Sequence, residues 1–362
     1  KFVKEEVSYT VGNPITYESK EQPGLLDELT STMALWNKNH DSDLMKYMVI
    51  FTKVFEIYRY DEEGFNKDPL STNLKSLKKH IQKAKELSNN KPLGINLMVA
   101  MNFYEEHVKT AIEAGIDIII SGAGLPIKLP KFIGNSNVKI APIVSSAKAC
   151  KLLLKMWDKK YNKTADMIVV EGPKAGGHLG FHRDELEDID SIDYDGEFIK
   201  ILEITKEYGQ KYDKEIPVIA AGGISTSSDV KKYINMGAAG VQVGTLFVAT
   251  EECDANITFK NTYIKCKKED IKIVKSPVGL PGRAIYNKFL EKLESNKPKI
   301  KKCYNCMETC NPSSTPYCIS QALINAVNGD IDNALLFCGA EAYKINKIKT
   351  VKKVIDELIS EI

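Results

Sequence analysis

The chain has 362 residues, with 50 Lys and Arg against 48 Asp and Glu for a formal charge of +2. That length suffices for one large domain or two ordinary ones, and the evenly interspersed charge gives no footing for nucleic acid or an anionic membrane. Eight cysteines in so long a chain are too few for a disulfide scaffold.

No apolar run approaches the roughly 20 residues of a membrane span, and the N-terminus KFVKEEVSYTVGNPITYESK has no signal-peptide core. A non-exported protein of the reducing cytoplasm is expected. The first sixty residues are polar and irregular, with one strand-like run at Tyr47–Tyr58. Leu70–Leu87 reads as a helix, with Leu74, Leu77, Ile81, Ala84 and Leu87 on one face.

From Pro92 to Thr245 short apolar runs alternate with amphipathic stretches, the pattern of repeated βα units. The predicted strands are Gly94–Val99, Ile116–Ser121, Lys139–Val144, Met167–Val170, Pro217–Ala220 and Gly240–Val243. The predicted helices are Tyr104–Ala114, Ala147–Lys160, Glu197–Tyr212 and Ser227–Met236. Such continuous apolar strands suit a parallel sheet buried on both faces. Six units in a row favour a (β/α)8 TIM barrel over a doubly wound sheet. After Thr250 the rhythm stops, so the reading divides the chain into a divergent segment 1–64, a barrel core 65–250 and a mainly helical appendage 251–362 packed on the barrel.

In a barrel the loops after the strands open at one end, where chemistry is sought first. The glycines of AAGGIS (Gly222, Gly223) and of VQVGT (Gln242, Val243, Gly244, Thr245) expose backbone N–H groups, and a following helix adds its positive dipole end. Together they predict an anion cradle, with phosphate the natural ligand. The competing reading is that Gly222 and Gly223 only permit a tight turn. A lone histidine is most often structural. His178, however, lies in VVEGPKAGGHLGFHRDE, where Gly176 and Gly177 would let the backbone lie flat against a planar group and Gly180 frees the far side. An imidazole so placed suits proton transfer at a substrate carbon. His182 follows at the spacing of a helical metal pair, but the glycines argue against helix and no metal is expected there.

The string EGPKAGGHLG, with GINLMVA, ISGAGLP, APIVSSAKA, PVIAAGGI, GVQVGT, KSPVGLPGRAI and PYCISQALINAV, resembles the nitronate monooxygenase family, formerly 2-nitropropane dioxygenases, which includes FMN-dependent enoyl-acyl-carrier-protein reductases. The resemblance runs from about Phe65 to the C-terminus and implies a TIM barrel with non-covalent FMN. It implies that Asn96, Glu171, Gly176, Gly223 and the run Gln242, Val243, Gly244, Thr245 contact FMN, and that His178 is the catalytic histidine. Glu171 stands where many monooxygenases carry Gln and the reductase branch often carries Glu. Nothing in Lys1–Tyr60 matches the family's first strand and its paired-glycine turn, so the first barrel strand is atypical.

The expected function is therefore FMN-dependent oxidative denitration of alkyl nitronates to a carbonyl compound and nitrite. The alternative is FMN- and NAD(P)H-dependent enoyl-acyl-carrier-protein reduction, and a third reading of another class is a flavin-free, non-catalytic barrel. Partners would be a small-molecule substrate with O2 or NAD(P)H, with a homodimer allowed and neither nucleic acid nor membrane expected. The cluster Cys303, Cys306, Cys310, Cys318 is compatible with Zn²⁺ or an iron–sulfur centre. Equally, Cys306 and Cys310, four apart, can share a helix face as small hydrophobes. No metal is assigned to the expected site.

Overall fold

A computed structural model describes residues 33–36, 62–88, 90–295 and 300–362. The predicted run Tyr47–Tyr58 lies outside them. In chain order the barrel half comprises β1 (Met33–Trp36), α1 (Glu62–Lys67), α2 (Pro69–Leu87), β2 (Gly94–Met98), α3 (Tyr104–Glu113), β3 (Ile118–Gly122), α4 (Leu129–Ile133), β4 (Lys139–Val144), α5 (Ala147–Tyr161), β5 (Ile168–Glu171), the two-residue β6 (Gly177–His178), α6 (Tyr194–Lys211), β7 (Val218–Ala221), α7 (Ser227–Met236) and β8 (Gly240–Val243). All six predicted strands and all five predicted helices are present, with ends shifted by up to three residues. The largest shift is at α6, where the Asp193 side chain caps the Gly196 N–H and starts the helix earlier than the apolar pattern shows.

Strands β2, β3, β4, β5, β7 and β8 pair in parallel in that order, forming the curled wall of a (β/α) barrel. Alternation within one strand explains why these runs are apolar throughout. Ile118 and Ile120 join Ala141, Met167, Val169, Ile219 and Ala221 in the barrel interior, while Ile119 faces the helix layer with Leu153, Trp157, Phe198 and Val230. Burial on both faces leaves little room for polar side chains within these strands.

The atypical first strand takes a definite form. β1 pairs antiparallel with β8, Met33 opposite Val243 and Trp36 opposite Gly240, whereas every other strand of this sheet runs parallel to its neighbours. No pairing joins β1 to β2 among the described residues.

Beyond residue 250 come α8 (Ile257–Lys265), β9 (Ile271–Lys275), β10 (Pro281–Ile285), α9 (Lys288–Ser295), α10 (Ile319–Val327), β11 (Leu336–Phe337) and α11 (Val351–Leu358). Helices dominate, but β9, β10 and β11 build a small antiparallel sheet that the sequence pattern does not reveal. Its fourth strand is β6, from the barrel: Gly282 pairs with His178 and Arg283 with Gly177. The C-terminal α11 packs Val351, Val354, Ile355 and Leu358 into the barrel's helix layer. No helix among the described residues is long and apolar enough to cross a membrane.

Candidate functional site

A cavity of about 210 Å³ opens at the C-terminal ends of the parallel strands and runs beneath the β6 loop into the appendage. Asn96, Glu171, Gly176, Gly177, His178, Gly222, Gly223, Gln242, Val243, Gly244 and Thr245 all line it. Residues separated by as many as 149 positions in the chain thus meet in one space because each lies on, or follows, a strand of the same sheet.

Four observations give the cavity its chemistry. First, Gln242 is 8% exposed, and its Oε1 is buried with no hydrogen-bond partner. A buried acceptor on a cavity wall is costly unless a ligand bearing N–H or O–H groups satisfies it. Second, Gly222 and Gly223 have φ of +92° and +78°, a conformation that disfavours other residues. A Cβ on Gly223 would lie 2.6 Å from Cβ of Lys174.

Third, the cradle is bordered by cations that sequence reasoning passed over. Lys174 packs on Gly223 and reaches Glu341 at 3.8 Å, while Lys344 stands 3.5 Å from Ser225 Oγ and 2.7 Å from Glu341. Lys174 lies inside EGPKAGGHLG but was given no role there, and Lys344 belongs to no quoted motif. The expected help from the following helix needs correction. The first turn of α7 is closed by a capping box in which Thr226 Oγ1 accepts from Asp229 N–H and the Asp229 carboxylate accepts from Thr226 N–H. Burial pushes the Asp229 carboxyl up, but bonds from Ser225 and Thr226 outweigh it and hold the group below its usual range. A helix start already carrying a carboxylate has its dipole compensated, which leaves the two lysines as the cations beside the glycine loop.

Fourth, His178 has a defined partner. Its Nε2 lies 2.6 Å from Ser276 Oγ, and its ring meets Phe337 edge-on at 4.9 Å between centroids. The Val278 N–H donates to the same Ser276 oxygen at 3.3 Å, which fixes the hydroxyl beside the imidazole. Ser276 lies within the KSPVGLPGRAI stretch, whose resemblance carried no residue role.

The paired glycines divide their work differently from the expectation of one flat surface. Gly177 has φ +71° with open space around a notional Cβ. Gly176 is crowded instead, since a Cβ there would come within 2.6 Å of the backbone of both Cys338 and Gly339. The Gly339 N–H in turn donates to Thr245 Oγ1 at 2.9 Å. Gly180 is likewise set by a close approach, to Ser145 Oγ.

Arg283, also unforeseen, secures the loop from behind. It is 4% exposed, and its Nη1 donates to the carbonyls of Pro173, at 2.7 Å, and Ala175. Burial pulls its pKa down, while the nearby Glu171 carboxylate favours the charged form. The guanidinium fixes the segment between Glu171 and His178, so both ends of that segment are presented to the cavity by one buried side chain.

The Cys303–Cys318 cluster is not helical as one sequence reading allowed. The chain from 301 to 318 has no regular helix and is held by bonds to the β2–α3 loop, among them Asn102 N–H to the Cys306 carbonyl. The competition between short-range cysteine spacing and tertiary anchoring is won by the anchors.

Comparison with known proteins places this architecture. The family model described as nitronate monooxygenase matches residues 64–361. A probable nitronate monooxygenase of Staphylococcus aureus strain MSSA476 is 27% identical over 200 residues, 54% of this chain and 50% of that one; the chain spans about half the length of the curated relative it matches there. The solved structure of FabK from Thermotoga maritima superposes with a TM-score of 0.61 at 25% identity, covering 80% of this chain and 81% of FabK. A nitroalkane oxidase from Streptomyces ansochromogenes shares the fold, with a TM-score of 0.60 at 17% identity over 80% and 85% of the two chains.

Proposed function

Because the chain belongs to the nitronate monooxygenase family, we propose that it is an FMN-dependent oxidoreductase that denitrates alkyl nitronates to a carbonyl compound and nitrite. The observation that carries the reading is the convergence of His178, the positive-φ glycines and the orphaned Gln242 acceptor on one cavity. In this reading Gly222, Gly223, Gly244 and Thr245 hold the FMN phosphate with backbone N–H groups. Asn96, Glu171, Gln242 and Val243 line the remainder, with Gly176 and Gly177 closing over it. The unit 65–250 carries the cofactor and 251–362 completes the wall. Bound FMN supplies the redox chemistry, and the protein supplies placement and charge.

His178 then handles the substrate proton. With Nε2 hydrogen-bonded to Ser276 Oγ, the imidazole is oriented on the cavity wall as the base of this reading. In this reading the imidazole takes the α-proton of a neutral nitroalkane, and Ser276 Oγ, a group that can donate or accept, holds the ring in place. A substrate already ionised as the nitronate needs no deprotonation, and a protonated His178 donates a hydrogen bond to it. Arg283 and Phe337 keep the imidazole over the cavity throughout.

A second reading is favoured by Glu171, the residue the reductase branch carries, together with the likeness to FabK. It keeps the site and the cofactor and makes the reaction reduction of an enoyl thioester by NAD(P)H, with His178 donating a proton to the enolate. Nitrite release from propyl-2-nitronate supports the first reading, and oxidation of NADH or NADPH on addition of crotonyl thioester supports the second. Protein without flavin absorbance after incubation with FMN refutes both and leaves a non-catalytic barrel.

A further inference from the structure

The cavity extends past the strand ends into the appendage, and that arm serves none of the chemistry above. Its lining comes from elements that carry neither the glycine loops nor the imidazole. Phe259 and Tyr263, one turn apart on α8, both face it, with their rings 5.0 Å apart between centroids. Leu323, Ala326 and Val327 face it from α10, at the three- and four-residue spacing that puts side chains on one face of a helix. Leu335, just before β11, lines it as well.

The side chains of the arm suit methylenes. The Tyr263 hydroxyl is committed to the Phe337 carbonyl, at 2.6 Å. Burial pushes up the thiols of Cys253, to about 11, and of Cys338, so both stay neutral beside it. The carboxylates that line the cavity stand elsewhere: Glu171 ends β5, and Glu341 pairs with Lys344 next to Ser225.

Tyr263, Ala326 and Leu335 are buried although they face the cavity, so the arm is shut off from bulk water. An apolar space inside a core costs stability while it stands empty, and it takes up apolar molecules rather than water. The arm also adjoins the reaction centre. Phe337, whose carbonyl takes the Tyr263 hydroxyl, has its ring 4.9 Å from that of His178. Leu323, Leu335 and Phe337 belong to one apolar cluster with Met98 at the end of β2.

We infer that the arm between α8 and α10 is a subsite for the unbranched alkyl tail of the substrate. The inference rests on the reading in which His178 faces the reacting carbon. Of the spaces open to a tail leaving that carbon, the glycine cradle suits anionic groups and the arm suits hydrocarbon. The preferred substrate is then a nitronate with a longer chain than propyl-2-nitronate, and the appendage sets how long that chain can be.

The test uses the full chain incubated with FMN and reads binding and turnover separately. Calorimetric affinity for the 1-alkanols from ethanol to decanol should rise about fourfold per added methylene, the factor for a CH₂ leaving water, and level off once the closed arm is full. The heat-capacity change should be negative, as apolar burial requires. For the nitronates of nitroethane through 1-nitrooctane, kcat/KM should climb by a similar factor, and octanol should compete with the longest of them. Ala326→Phe, which grows into the arm, should level both series off at a shorter chain. Because that variant risks misfolding, the wild-type series decide the matter by themselves. Alkanol affinity that does not rise with length, octanol that fails to compete, or kcat/KM flat with length while propyl-2-nitronate is still denitrated overturns the inference and leaves the proposed function standing. A rising alkanol series with no nitrite from any nitronate supports the subsite and refutes the denitration reading.

Discussion

Gly176 and Gly177 are adjacent, both line the cavity and both pair with or approach the appendage, yet they should respond oppositely to substitution. At Gly176 an added Cβ meets backbone atoms of Cys338 and Gly339 at 2.6 Å, about 1 Å inside the 3.5–4.0 Å at which carbon contacts are favourable. Backbone cannot rotate aside, so Gly176→Ala forces the 338–339 segment away and strains the Gly339 N–H to Thr245 bond. Overpacking of this kind costs about 3 kcal/mol, the upper end of the usual range. At Gly177 space is free and only φ +71° opposes a side chain, so Gly177→Ala costs about 1–2 kcal/mol. Unfolding entropy near 2.1 cal/mol/K per residue makes 1 kcal/mol about 1.3 °C for this chain, giving losses of about 4 °C and about 1–3 °C. Asparagine tolerates the left-handed region, so Gly177→Asn should recover most of the loss while Gly176→Asn is worse than Gly176→Ala. Thermal unfolding of the four variants measures this, and an FMN titration should show the larger affinity loss at position 176. Equal sensitivity at the two positions, or rescue by Asn at 176, would refute the division of labour.

Further outcomes follow from the same geometry. Arg283→Met leaves the carbonyls of Pro173 and Ala175 without their donor, and at about 1–3 kcal/mol for each buried unsatisfied group the denaturation midpoint should fall clearly; an unchanged midpoint would show the guanidinium to be dispensable. His178→Gln should slow reaction of neutral nitroalkanes by about 10²–10⁴-fold and spare pre-ionised nitronates, a split that steady-state kinetics with both substrate forms resolves. Equal losses on both forms would remove the proposed base. His80 is lowered to about 4, by burial first and then by Lys83. The unfolded chain therefore binds a proton near pH 6.5 that the native state refuses. Its contribution is complete above that value and is lost as the pH falls from about 6.5 to about 4. At 1.36 kcal/mol per unit the loss is at most about 3 kcal/mol, less because the ring is only partly buried. His80→Phe should flatten that limb of the stability curve, and an unaltered limb would exclude the residue.

The parallel strands were legible because burial on both faces writes an uninterrupted apolar run into the sequence, as in IDIIIS and MIVV. Their loop residues were legible for a related reason: once strands are placed, Asn96, Glu171 and Gln242 must face the open end. The appendage sheet was not. β6 has two residues and β11 two, too short for any period, and their pairing with β10 spans about a hundred positions or fifty. Ser276 and Arg283 escaped notice with them, since each acts on a loop remote in sequence. The Gly-Gly pair was marked because it would let the backbone lie flat against a planar group, but the crowding at Gly176 by the Cys338–Gly339 backbone is a tertiary fact that local spacing does not carry. The helical alternative for Cys306 and Cys310 is not realised for the same reason, because the chain there is anchored at Asn102 and Ala100.

The pairing of His178 with Gly282 has a consequence for the order in which the protein is made. The barrel strands emerge from the ribosome first, but the imidazole has neither its strand partner nor Phe337 until about 160 further residues have been added. At about 5–20 residues per second that is a wait of about 8–30 s in which a nascent barrel can exist without a formed reaction centre. A chain broken off before β11 would be an inert fragment, and any redox chemistry at the site must await its last third.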